Sequence, residues 1–342
     1  MSNTSKHRSQ ILANKLIAFS ISYQPEDLLA GGMGLKHLRE LLIQLARPFL
    51  QQGADLLYSG HWQKTEDNFT YDLLDLIRAE QANKSYGGPG TNFRIGKLYN
   101  FLSWPSYLAL TPNTEAQWIN CCRIVRITQQ MAGLPAEDIV SDADAQNKEP
   151  RTIFNTAVTL SAMRRLSMEG MAIMIPDVPQ SGIIPPVVAR ILLGGKVENY
   201  LGFIPGVFEE ALVTIEKQCP LYVLGGFGGA AEVLARAILG TGSDRPSALT
   251  LPWHKEHNPA LAQLLEQTPP FVYPVGCRSS EEMLTALFSL VQQARLNPAH
   301  VLNTGLSNEE TRELLQTRSA ADAVRLVRTG LATQLSFSNL PA

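Results

Sequence analysis

LYVLGGFGGAAEVLARAI, residues 221–238, carries three consecutive signals. Leu221–Leu224 is a short apolar run with the length and residue types of a buried strand. Four glycines around Phe227 follow, and an Ala/Leu run with helical spacing comes next. Strand, glycine turn, helix is the repeating unit of an α/β fold. Backbone N–H groups of Gly225, Gly226, Gly228 and Gly229 are free to approach an anion at the helix N-terminus. A tight turn that lets helix and sheet pack closely explains the same glycines. The stretch is neither a Walker loop, since no Lys-Ser/Thr follows, nor a clean Gly-x-Gly-x-x-Gly.

The unit recurs on either side. KLIAFSI (15–21) predicts a strand, and LKHLRELLIQLARPFLQQ predicts a helix with Leu38, Leu41, Leu42 and Leu45 on one face. GADLLYSG (53–60) and DNFTYDLLDLIRAEQ form the next pair, and KSYGGPGTN reads as a loop. TEAQWINCCRIVRITQQMAG (114–133) predicts one helix capped by Thr114. FNTAVTLSAMRRLSMEGM and FEEALVTIEKQ read as helices. AIMIPDV and VVARILLGG both have strand character, and pattern alone leaves open which belongs to the core sheet. TGSDRPSALTLPWHKEHNPA (241–260) reads as a loop, and the tail is helical.

The expected fold is therefore α/β: Rossmann-like and doubly wound, with a mainly parallel sheet, helices on both faces, and loop or helical insertions. One domain over 15–332 follows a flexible 1–14 and precedes a tail at 333–342, with insertions near 80–150 and a loop at 241–258.

Lys and Arg number 29 against 31 Asp and Glu, so no basic excess points to nucleic acid or a membrane surface. No apolar stretch approaches the ~20 residues of a membrane span. The polar N-terminus has no secretory pattern, which predicts a cytoplasmic protein. Cys121, Cys122, Cys219 and Cys277 have no metal-ligand spacing and read as reduced thiols.

Ligands of such sheets bind at the carboxyl ends of the strands. There the sequence places Ser20, Ser22 and Gly32 after the first strand, and Ser59 and Gly60 after the second. Hydroxyls and glycines suit phosphate or ribose there, though capping explains each one singly. LGFIPGVFEEA offers Gly202, Pro205 and Gly206 in a turn, with Glu209 and Glu210 in the first turn of a helix. Carboxylates at a helix start interact well with its dipole, which is the bland explanation. Arg164 and Arg165 lie about 100° apart on one helix, so at most one faces a pocket. His254 and His257 lack a third ligand nearby, and no metal site is expected.

GFIPGVFEE resembles the Pro-Gly-Gly-x-Gly-Thr-x-x-Glu loop of LOG-type nucleotide phosphoribohydrolases, and AMRRLSM resembles the Arg-Lys segment before it. Together with LKHLRELLIQLAR, GADLLYSGHW, LYVLGGFGGAA and NTGLSNEETRELL, these stretches make the chain similar to the SLOG superfamily. That is the Rossmann-like group containing LOG and DprA domains, and the likeness is greatest to its large members in bacterial anti-phage conflict systems. The resemblance implies a pocket for a nucleotide or an NAD-derived ligand, with no further cofactor required. It puts Arg164 and Glu210 on the functional arginine and glutamate. The loop departs from the pattern at Gly202-Phe203-Ile204 and at Val207, which replaces the Thr.

Two functions follow from the resemblance. The first is a sensor of an ADP-ribose-like ligand in bacterial defence, acting as a homo-oligomer or through a separate effector protein. The second is an N-glycosidase acting on NAD or nucleoside monophosphates. There Glu210, with Glu209 as the alternative, would stabilise an oxocarbenium-like state, and Arg164 would hold phosphate. A structural scaffold is the third reading, and three Gly-rich turns at strand ends would be surplus to it.

Overall fold

A computed structural model describes residues 11–23, 32–84, 95–173, 182–241 and 244–337. Residues 85–92 of the KSYGGPGTN loop and the end of AIMIPDV lie outside the described residues.

The chain runs β1 (Leu16–Ser22), α1 (Leu35–Gln51), β2 (Asp55–Leu57), α2 (Phe69–Lys84), β3 (Leu98–Ser103), α3 (Pro112–Trp118) and β4 (Cys122–Ile127). It continues through α4 (Pro150–Glu169), β5 (Met171–Ile173), β6 (Gly182–Ile184), β7 (Val187–Gly194), α5 (Gly206–Glu216), β8 (Leu221–Leu224) and α6 (Gly229–Leu239). The helical remainder is α7 (Leu251–His257), α8 (Pro259–Leu265), α9 (Ser280–Leu296), α10 (Pro298–Val301), α11 (Asn308–Gln316) and α12 (Ala320–Phe337).

Six strands form one sheet in the order β4-β3-β2-β1-β7-β8, and every pairing in it is parallel. This is the expected Rossmann-like α/β architecture. A parallel sheet is buried on both faces, and β1 shows why its residues suit that role. Leu16 and Ala18 join the core under α4, α5 and α6, whereas Ile17, Phe19 and Ile21 join the core under α1, α2 and α12. Strand order reverses at β1: β2 to β4 step away on one side, and β7 and β8 lie on the other. A crevice opens outside the strand ends at such a reversal.

VVARILLGG supplies the core strand β7, in register with β1 from Ala189 opposite Ile17 to Gly194 opposite Ser22. The described start of AIMIPDV instead pairs antiparallel with Gly182–Ile184 in a separate hairpin. Two sequence expectations are corrected. Residues 114–133 are not one helix: α3 ends at Trp118, and Cys122–Ile127 is a strand beside β3. Its β-branched residues pair along β3, with Val125 and Ile127 buried and Arg126 exposed, so strand alternation overrides the helical spacing before it. Thr111, not Thr114, caps α3, accepting the Thr114 N–H at 3.2 Å. The 241–260 stretch is also no simple loop, because Pro252 and Pro259 open α7 and α8. Proline is favoured in a first helical turn, where its missing N–H costs nothing.

Among the described residues, no helix is long and apolar enough to cross a membrane.

Candidate functional site at the strand-order reversal

A cavity of about 320 Å³ lies at the β1–β7 reversal. Its wall includes Ser20 and Ser22 from β1, Ser59 and Gly60 after β2, Arg164 from α4, and Gly206 and Glu210 from α5. Seven of the residues singled out in the sequence thus converge on one space. A larger groove of about 600 Å³ between α1 and α12 is mostly apolar and carries no carboxylate. Its polar residues are Gln52, Arg325, Arg328 and Thr329, and none of the site residues singled out in the sequence lines it.

The tandem Glu209-Glu210 divides its labour through helix geometry. Glu209 turns inward and accepts hydrogen bonds from Arg164 Nη1 and Ser161 Oγ, with its side chain 3% exposed. Glu210 turns towards the cavity. Arg164 joins the two settings: its Nη1 donates to Glu209, and the residue is part of the cavity wall. The turn before α5 lies directly against it. A Cβ on Gly206 would sit 2.8 Å from Arg164 Nη2, and one on Gly202 would sit 3.0 Å from Nη1. Those glycines let backbone and guanidinium approach, and Pro205 sits at the N-cap of α5. The α5 N-terminus and Arg164 therefore offer positive potential to the same part of the cavity.

Behind Glu210 lies Arg190, which the sequence reading missed. It is 1% exposed in the middle of β7. Nη1 donates to Ser20 Oγ at 2.7 Å and stands 3.4 Å from Glu210 Oε1, and Nη2 lies 3.0 Å from Met168 Sδ. Burial lowers the pKa of this guanidinium, and the Glu210 charge opposes that fall. Its signal in the sequence was a lone charge within the apolar run VVARILLGG. The Tyr58 hydroxyl donates to the Ile21 carbonyl at 3.2 Å; burial raises its pKa, and the Glu210 carboxylate adds to the rise.

Asn100 fixes the loop after β2. Its amide donates to the carbonyls of Tyr58 at 2.8 Å and Gly60 at 2.9 Å, while its Oδ1 accepts from Trp62 Nε1 at 2.8 Å. On the opposite lip, Ser22 Oγ accepts the Lys196 N–H at 3.1 Å, and Lys196 and Asn199 complete the wall.

The GGFGG turn lies elsewhere. A Cβ on Gly225 would stand 2.4 Å from the Leu315 carbonyl oxygen, on Gly226 2.0 Å from that of Thr317, and on Gly229 2.4 Å from that of Gly195. The glycines permit close packing against α11 and the turn after β7, and none of them, Gly228 included, lines the cavity. Gly32 is exposed and does not line it either. His254 is buried against Tyr200 and Trp253, and His257 stacks on Trp253 at 4.0 Å.

A family model described as SLOG cluster2 matches residues 11–314. No curated protein matches the chain.

Proposed function

The chain belongs to the SLOG cluster2 family, and from that premise we propose that the cavity binds a nucleotide or NAD-derived, ADP-ribose-like ligand and senses it. The observation carrying this reading is the pairing of opposite chemistries in one cavity: the Glu210 carboxylate, and the Arg164 guanidinium beside the α5 N-terminus. A carboxylate accepts from ribose hydroxyls, and a guanidinium at a helix N-terminus takes phosphate. A volume of about 320 Å³ is at the lower end of the ligand-pocket range of about 300–1,000 Å³, the size of a nucleoside monophosphate portion.

Sensing is preferred to cleavage on two grounds. The Glu210 carboxylate already faces the Arg190 cation at 3.4 Å, which offsets the charge an oxocarbenium-like state would need. Val207, on the cavity wall where the LOG-type loop has Thr, brings no hydroxyl to a phosphate. The second reading is N-glycosidic hydrolysis with Glu210 beneath the ribose. A place in bacterial defence, self-assembly and a separate effector belong to the same proposal, because a sensor must pass its bound state on.

The test is incubation with ADP-ribose, NAD and nucleoside monophosphates, followed by calorimetry and chromatography. Binding without turnover, weakened in Glu210→Gln, is the expected result. Turnover abolished by the same substitution would replace the sensor with the hydrolase. No binding across the panel would defeat both.

A further inference from the structure

Arg190 is costly where it stands. A guanidinium inside a parallel strand must be desolvated, and its Nε has no hydrogen-bond partner among the described residues. Such a buried ion pair is often matched or bettered in stability by apolar residues of similar volume. Its partners point to another purpose. Two of the three, Ser20 and Glu210, are themselves cavity wall, and they come from different elements, β1 and α5.

The geometry points to Arg190 as a positioning residue that sets the hydrogen-bond polarity of the cavity floor. Arg190 Nη1 donates to Ser20 Oγ, so the Ser20 hydroxyl keeps its own hydrogen for a ligand oxygen. The same nitrogen holds Glu210 Oε1 by charge, leaving the second carboxylate oxygen to accept from a ligand hydroxyl. The floor thus presents one donor beside one acceptor. That pair complements two neighbouring hydroxyls, one accepting and one donating, and a ligand lacking either hydroxyl would leave a buried group unpaired. The inference rests on the nucleotide reading and narrows it to ligands that keep both ribose hydroxyls.

The experiment is a double-substitution cycle in the full chain, using Arg190→Met, Glu210→Gln and both together. Thermal unfolding without ligand reads the pair itself. Arg190→Met lowers Tm by leaving Glu210 without its cation, and adding Glu210→Gln recovers part of the loss; strictly additive losses would overturn the pairing. Calorimetry with ADP-ribose and with AMP against 2′-deoxy-AMP reads positioning. Arg190→Met is expected to weaken ribonucleotide binding at least about tenfold and to erase the preference over the deoxy form. The double variant should then bind no more weakly than Arg190→Met. Losses that multiply, or a preference that survives Arg190→Met, would refute positioning. If Arg190→Met does not fold, Arg190→Lys runs the same cycle: one ammonium cannot reproduce the guanidinium's hold on Ser20 and Glu210, so partial rescue is expected and full rescue counts against the proposal. Failure of every nucleotide to bind the unaltered chain would sink the nucleotide reading, while the ligand-free cycle would still decide the Arg190–Glu210 pair.

Discussion

Glu209 and Glu210 are adjacent in sequence and face opposite ways, one sealed against Arg164 and Ser161, the other open to the cavity with Arg190 at its back. About 100° of helix rotation separates a sealed carboxylate from a cavity-facing one.

Substitution should separate the two roles. Glu209→Ala strands the Arg164 guanidinium, whose side chain is 10% exposed, and is expected to cost about 3–5 kcal/mol of stability. Glu210→Gln takes the charge from beside the buried Arg190 but leaves an amide oxygen facing it, so it should cost less stability than Glu209→Ala and should in addition weaken nucleotide binding. Urea unfolding alongside calorimetry checks both halves, and a Glu209→Ala chain of native stability would contradict the assignment.

The two glycine turns make a second contrast. Gly206→Ala places a methyl 2.8 Å from Arg164 Nη2 and should displace the guanidinium, lowering affinity for a phosphate-bearing ligand about tenfold. Gly226→Ala places one 2.0 Å from a backbone oxygen that cannot easily move, so its penalty should appear in Tm. Ligand binding impaired at Gly226 without any loss of stability would return the GGFGG turn to the site.

Asn100→Ala removes the bridge between the Tyr58 and Gly60 carbonyls and the Trp62 N–H. Each buried group left unpaired costs about 1–3 kcal/mol. The expected result is lower stability together with weaker nucleotide affinity, because the loop carrying Ser59 and Gly60 loses its anchor. Affinity unchanged in a folded Asn100→Ala chain would show that this loop does not hold the ligand.

His254 gives the stability a pH dependence. Burial pushes its imidazole from 6.5 down to about 4, against an opposing pull from the Ala248 backbone and with a further push down from His257. Neither ring nitrogen makes a hydrogen bond of good geometry. The folded state therefore disfavours the proton that the unfolded chain accepts. This contribution is complete above pH 6.5 and is lost as pH falls towards 4, amounting to about 3 kcal/mol across the window. Urea unfolding of the unaltered chain and of His254→Phe between pH 7 and 4.5 checks it: the variant should lose this component of the slope, and identical slopes would remove His254 as its source.

Much of the candidate site could be read before the fold was known. Ser20, Ser22, Ser59, Gly60, Gly206 and Glu210 sit where a strand-end rule sends the eye, and the family resemblance added Arg164. The rest depended on partners that local pattern does not carry. Arg190 gains its meaning from Ser20, far along the chain, and from Glu210 on the next helix. The GGFGG glycines answer to α11, which no inspection of residues 221–238 brings near them. β4 was hidden because helical spacing in AQWINCC runs directly into a strand whose character comes from pairing with β3. α7 and α8 were hidden because prolines that open helices look, in isolation, like loop residues.

The sheet order has a temporal consequence. β1 meets β7, not β2 alone, along its full length, and that pairing closes a loop of about 165 residues, a slow step by the logic of chain entropy. Most of the cavity wall comes from elements before β6 and waits for the rest, because Lys196 and Glu210 on the wall, and Arg190 behind Glu210, all follow β6. A polypeptide emerging during synthesis is therefore expected to stay blind to its ligand until α5 has joined the sheet, and ligand capture should mark the completed fold rather than help start it.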